Sequence, residues 1–517
     1  MPNSDPLNGP SPSPDKSSAV ALFHDPRLTS YPSEPPFDPA DLYPENPSRG
    51  CVAAGANPIY AYVRQLLADL GLDAKNFGSG QWNPLSDLVA PGGTVVIKPN
   101  LVDLKQGWIA LGGERVLDMV TNGSVLRPLI DYAYHAVGPN GRIVVGDAPL
   151  VHAGFDAIVE GAGIKPMMET LSARGIAVEL MDFREEFFAR WSGERYELPG
   201  DRLGNSVLDI GNRSALDPLD SDPPAHYFTL ADQTVHRTEP QRHHFKGCHE
   251  YCIPNTILGC DLFINVPKLK THVKTGVTLS LKNLMGITHY RRWMPHHRTG
   301  APPEGDEFPM DPGTILRHRE RILRRVSRLP GGELFIRMAA YLRHSTARLV
   351  GHRDRTIIHG GWYGNDTLWR TLVDLNRVLF YGRPGGQFVP ERRSYLSIVD
   401  GVIAGEGNGP VKPTTKPVGV LAASMDPVAL DTVLAWIMGY EPTRIRLLQG
   451  AAASRDTLWL GHTDFNRIDV KTNIEDWRSL DLDFREPLGW EGYLKRGSAL
   501  TLEMQERLRF MGPAVLP

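Results

Sequence analysis

Cysteine is scarce in this chain: four among 517 residues, Cys51, Cys248, Cys252 and Cys260. That is too few to staple a polypeptide of this length. No two of them form Cys-x-x-Cys, so neither a zinc ribbon nor a ferredoxin-type iron–sulfur cluster is encoded in the usual spacing. A looser group, Cys248-His249-Glu250-Tyr251-Cys252 behind His243 and His244, leaves a structural metal open, with ordinary thiols as the default. A strong charge of one sign is also lacking. The net charge of −3 argues against a dedicated nucleic-acid binder. Long apolar runs are missing, which excludes a transmembrane segment, and no apolar core stands behind a basic start. A cytoplasmic location is expected. A Walker loop and a dinucleotide fingerprint are both absent.

What is present is ordinary globular material: 41% hydrophobic and 22% charged residues, enough for two or three domains or one large one. Residues 1–50 are crowded with Pro, Ser, Asp and Asn without periodicity, which predicts a disordered or extended arm. Order is expected to begin near Asn57, where Ile59, Val63, Leu66 and Leu70 recur at helical spacing. Apolar runs at Thr94–Ile97, Arg142–Val145, Ala177–Leu180, Leu262–Val266, Tyr395–Val399 and Val418–Ala422 predict buried strands. Helical patterns at Leu126–Val137 and Val428–Met438 fall between or after them. The fold class is α/β, a mainly parallel central sheet with flanking helices. The first α/β part runs over residues 51–287, a loop with a basic helical insertion over 288–356, and the second part with a C-terminal extension over 357–517. Residues 183–246 are expected to form hairpins at the sheet margin.

Chemistry concentrates where apolar strands end, the place where open α/β sheets hold ligands. Asn265-Val-Pro-Lys-Leu-Lys-Thr-His272 sets Lys268, Lys270 and His272 after one such run, with Lys274, Lys282 and Asn283 beyond. Lys98-Pro99-Asn100 ends another, stiffened by its proline. Asp147 ends a third, and Asp400 a fourth, before the glycine-rich Gly405-Glu406-Gly407-Asn408-Gly409 turn. Two arrangements fit. Lysines hold a phosphate or carboxylate while Asp147, Asp400 and Glu406 hold a divalent ion, or the opposite charges pair and lock the strand ends together. His272 is a candidate for proton transfer or metal ligation, or a histidine bonded only to neighbouring backbone.

Further along, His296-His297-Arg298 sits in a proline-rich loop of the kind that lids active sites, and His297 and Arg298 are candidate substrate contacts. Trp362 or Tyr363 would serve as an aromatic wall, and Asp366 as a helix cap. The arginine-rich stretches 315–329 and 334–349 suit either an anionic membrane surface or packing on the protein's own sheet.

The ordered set Lys98-Pro99-Asn100, Gly146-Asp147-Ala148-Pro149, Asn265 to His272, Leu281-Lys-Asn-Leu-Met-Gly286, Asp400-Gly-Val-Ile and Asp426-Pro-Val-Ala-Leu-Asp431 resembles the bacterial and archaeal family known as domain of unknown function 362. The likeness spans about residues 90–440. Members of that family often carry a ferredoxin-like segment. This chain lacks the four-cysteine motif, so that property is not carried over. The residues and the resemblance together lead to an expected enzyme of unknown reaction on a small anionic substrate. Its catalytic residues would be His272, Lys270 and Lys282, its substrate contacts Lys98, Asn100, Lys268, Asn283, His297 and Arg298, and its cofactor a divalent ion. The alternative is a non-catalytic assembly factor docking an acidic partner or a membrane through the arginine-rich stretches.

Overall fold

The computed structural model describes residues 18–103, 118–189, 194–220, 227–229, 239–309, 359–410, 412–453, 458–462, 464 and 467–509. Ten strands build one sheet. In chain order they are β1 (Ser18–His24), β2 (Thr94–Pro99), β3 (Arg142–Asp147), β4 (Glu179–Asp182), β5 (Leu262–Val266), β6 (Lys268–His272), β7 (Gly276–Thr278), β8 (Ser394–Asn408), β9 (Lys412–Ser424) and β10 (Ile468–Thr472). Across the sheet the order is β10-β1-β9-β8-β5-β2-β3-β4, with β6 added against β8 and β7 against β6. From β8 to β4 all pairings are parallel. The antiparallel β8–β9 hairpin joins this half to β1 and β10.

Continuous apolar strands arise because both faces of the sheet are covered. Alternation sends Val95, Ile97, Ile143 and Val145 to one core, shared with α1 (Pro58–Asp69) and α2 (Gly123–Val137). Val96, Val144 and Phe263 go to the other, shared with α4 (Leu368–Tyr381) and α5 (Pro427–Ile437). A one-turn helix, α3 (Ser280–Asn283), lies between β7 and α4 in the chain. Caps set the helix starts as the sequence predicts. Asn122 accepts the Ser124 N–H at 3.0 Å, and Asp426, followed by Pro427, accepts the Val428 and Ala429 N–H groups at 2.9 Å.

Three expectations are corrected. Order begins before Asn57: Ser18–His24 is a strand between β9 and β10, with Val20, Ala21 and Leu22 buried. Five apolar residues suffice there because neighbours on both sides complete the ladder. The lysine segment after β5 is itself a buried strand, β6, with Lys268 opposite Asp400. The glycine-rich turn after Asp400 is the continuation of β8, paired residue by residue with β9. Residues 183–246 contain a hairpin, Glu186–Phe188 against Arg195–Glu197, but it forms a small sheet of its own, and Asn205–Asp209 joins a second small sheet against Cys248–Pro254. The arginine-rich stretches 315–329 and 334–349 lie outside the described residues. Among the described residues no helix is long and apolar enough to cross a membrane.

Candidate functional site

Because β3, β2, β5 and β8 are parallel neighbours, their carboxyl ends open at one rim. The rim gathers most of the expected residues, then divides them by their partners. Lys98 pairs with Asp147 at 2.8 Å, and Asp147 also accepts the Leu101 and Ala148 N–H groups at 2.7 and 2.9 Å. Gly286 closes over this pair: a Cβ there would overlap the Asp147 carboxylate and stand 2.8 Å from Lys98 Nζ. Lys268 pairs with Asp400 at 3.0 Å, both side chains buried. Tyr31 donates to the same carboxylate at 2.6 Å, and the Asn122 N–H does so at 3.0 Å. Tyr31 was not foreseen. It lies in the Pro- and Ser-rich stretch, which carries no signal for it.

Among the described residues Lys270 pairs with no carboxylate. Its ammonium donates to Asn100 Oδ1 at 2.7 Å and to the Met119 carbonyl at 2.6 Å. Asn100 in turn donates to Asn283 at 2.7 Å, and Asn283 to Asn265 at 2.8 Å. Asn100 and Asn283 therefore hold the interior of the rim rather than project from it. Burial, then the charges of Lys282 and Lys268, pushes Lys270 well below the usual lysine range.

Lys282 is different again. It is half-buried on α3 and, among the described residues, makes neither an ion pair nor a hydrogen bond. Burial, with Arg291 and Lys98 nearby, lowers it to about 7 against the opposing pull of Asp147. Its helix is pinned by Asp431 of α5, whose carboxylate accepts the Ser280 and Leu281 N–H groups at 2.8 and 2.9 Å. Arg291, another unforeseen member, donates to the Ala148 carbonyl and is lowered by burial to about 10.

His272 ends β6. Its Nδ1 accepts the Lys274 N–H at 3.1 Å, so in the neutral ring the proton sits on Nε2. Burial first, then Lys282, Lys274 and Lys270, keeps it well below the usual histidine range. His296 has the opposite tautomer, Nδ1 donating to the Met294 carbonyl at 2.9 Å, and is pushed down to about 3, mainly by burial. Lys274 donates to the His359 carbonyl and is lowered by burial to about 7.

The expected divalent-ion set is not assembled. Asp147 and Asp400 are taken by Lys98 and Lys268. Glu406 lies far along β8, 3.1 Å from Lys416, on a surface cleft of about 420 Å³ shared with Asp483, Arg485 and Glu491. Among the described residues one group of three offers ligand atoms mutually within 4.8 Å: His297, Glu307 and His359. His297 and Arg298 do not line the lysine rim. They form a two-residue strand against Tyr227–Phe228, and Arg298 stands 3.9 Å from Asp306 and 3.8 Å from Asp366. Asp366 is an ionic hub for Arg370 and Arg446 rather than the cap of α4; Asn365 accepts the Thr367 and Leu368 N–H groups instead, at 3.1 and 2.9 Å. Trp362 is core, its Nε1 donating to the Asp306 carbonyl at 2.9 Å. Cys248 and Cys252 share one strand as free thiols.

A model of the family described as domain of unknown function (DUF362) matches residues 222–436, which contain β5, β6, α3 and most of β8 to α5. The chain belongs to that family. It is 50% identical over 392 residues to the thylakoid-associated protein sll1697 of Synechocystis sp., covering 75% of this chain and 73% of the relative. A crystal structure of a Thermotoga maritima protein aligns at a TM-score of 0.31 and 9% identity, over 71% of this chain and 56% of that one.

Proposed function

We propose that this protein is an enzyme acting on a small anionic substrate, phosphorylated or carboxylated, with Lys282 and Arg291 receiving the anion and the neutral His272 ring donating a hydrogen bond from Nε2. The observation that carries the reading is Lys282. A half-buried ammonium with no carboxylate partner among the described residues, beside a guanidinium, is costly unless an anion completes it. Lys270 and the asparagine chain position the rim, while Lys98 and Lys268 lock strand ends to their own acids. Proton or group transfer suits these groups. Thiol chemistry does not, since burial raises Cys248 to about 11 and Cys252 to about 12.

Binding of inorganic phosphate and of small dicarboxylates to the purified chain, followed by calorimetry at pH 6.5, tests this. The wild type binds one anion per chain with uptake of protons as pH rises past 7, and Lys282→Met loses binding at least tenfold. Undiminished binding by that variant, or none by the wild type, removes the reading.

The reading puts the enzyme in the cytoplasm. The name of the Synechocystis relative favours a second one, a peripheral factor held at an anionic membrane by the arginine-rich stretches. Sedimentation with vesicles containing anionic lipid separates the two: only a peripheral factor loses its association when residues 313–350 are removed.

A further inference from the structure

We infer that His297, Glu307 and His359 form a site for a zinc-class divalent metal, separate from the lysine rim. Two imidazoles and one carboxylate are the donor set that borderline transition ions take, with three protein ligands leaving a tetrahedral ion at least one position for water or substrate. The three ligand atoms lie within 4.8 Å of one another, and His359 Nδ1 is 3.9 Å from Glu307 Oε1. Ligands around one tetrahedral ion stand roughly 3.4 Å apart. Closure thus needs the ligand atoms to draw together by about 1.4 Å at most.

The backbone around the ligands is built to hold them. Asp306, beside Glu307, accepts the Arg298 N–H at 2.6 Å, the Asp366 N–H at 2.8 Å and the Thr367 hydroxyl at 2.6 Å. Asn365 donates to the carbonyls of His296 and Gly360, both at 2.9 Å, and the Gly360 N–H donates to the Glu307 carbonyl at 3.0 Å. Each ligand therefore adjoins Asp306 or a residue tied to Asp306 or Asn365, which fixes the backbone that carries the three side chains. His359 adopts a left-handed backbone, φ 57°, a conformation that concentrates at functional sites. Gly360 follows it because a Cβ there would stand 2.9 Å from His297 Cβ. The site also touches the rim: Lys274, whose N–H holds His272 Nδ1, sends its ammonium to the His359 carbonyl.

Titration of the metal-stripped full-length protein with Co²⁺, read by visible absorption and by competition with a chromophoric chelator, decides it. One ion per chain is expected, with the comparatively intense d–d bands of a nitrogen- and oxygen-ligated tetrahedral Co²⁺ site. His359→Ala, in a loop, and the isosteric Glu307→Gln each lose affinity by more than the roughly 10–100-fold typical of an outer-support change. Asp306→Asn falls within that range, and Glu406→Gln leaves binding unchanged. Absence of stoichiometric uptake by the wild type, equal uptake by the ligand variants, or thiolate charge-transfer bands would each overturn the assignment. None of these readouts depends on anion binding at Lys282.

Discussion

Lys268 and Lys282 lie fourteen residues apart in the most informative stretch of the chain, and their surroundings differ in kind. Lys268 points into the sheet edge, where Asp400 meets it at 3.0 Å and Tyr31 closes the other side. Lys282 stands on a one-turn helix and, among the described residues, pairs with no such acid. The same contrast separates Lys98, paired with Asp147, from Lys270, which is held by an amide oxygen and a carbonyl. Cations at strand ends are thus of two kinds. Among the described residues, those with a buried carboxylate fasten strands to each other, and those without one are held by neutral oxygens, as Lys270 is, or make no ion pair or hydrogen bond, as Lys282 does. Counting lysines overstates a binding site until each partner acid is subtracted.

The paired class is where substitution costs most. Lys268→Met leaves Asp400 buried with only neutral donors, and breaking such a pair from one side costs about 3–5 kcal/mol. Urea unfolding measures it. In the double variant Lys268→Met, Asp400→Leu most of that loss returns, because neither charge remains to be desolvated. If the single and double variants lose equally, Asp400 is held by Tyr31 and the Asn122 N–H alone, and the fastening role assigned to Lys268 is wrong.

Gly286→Ala probes the second pair by pressure rather than deletion. A Cβ at that position would overlap the Asp147 carboxylate and reach Lys98 Nζ at 2.8 Å. Overpacking of this kind costs about 1–3 kcal/mol. The loss should shrink in Asp147→Ala, which removes the atom in the way, so the two substitutions are expected to be non-additive in a thermal or urea series.

Much of this was legible beforehand. Strands β2, β3 and β5 announce themselves as apolar runs because both sheet faces are covered, and α2 and α5 are marked by Asn122 and by Asp426-Pro427. The convergence of Lys98, Asp147, Asn265 and Asp400 follows from parallel order alone. What escaped were contacts between residues distant in sequence. Tyr31 reaches Asp400 across 369 positions, and nothing local to the Pro-rich stretch says so. The continuation of β8 through Gly405 and Gly407 is hidden by glycines that normally mark a turn, and it carries Glu406 away from the rim. His359 and Glu307 were visible as residue types, but their meeting depends on Asp306 and Asn365 drawing two loops together. Which lysine has an acid is likewise a long-range fact.

The unpaired class makes a smaller prediction whose sign is its test. An unfolded lysine titrates near 10.4, whereas folded Lys282 is lowered to about 7. Below about 7 both states are charged, and the folded protein bears the whole cost of the half-buried ammonium. Between about 7 and 10.4 the folded state binds fewer protons than the unfolded, so this residue makes stability rise with pH across that window. Lys282→Met removes the slope. The variant should therefore be more stable than the wild type at pH 6, by about 1 kcal/mol or less after solvent screening, with the gap narrowing towards pH 9. Saturating phosphate should reverse the order at pH 6, because only the wild type then gains the anion. A gap that ignores both pH and phosphate in urea unfolding would put Lys282 among the fastened lysines, with an acid still to be found.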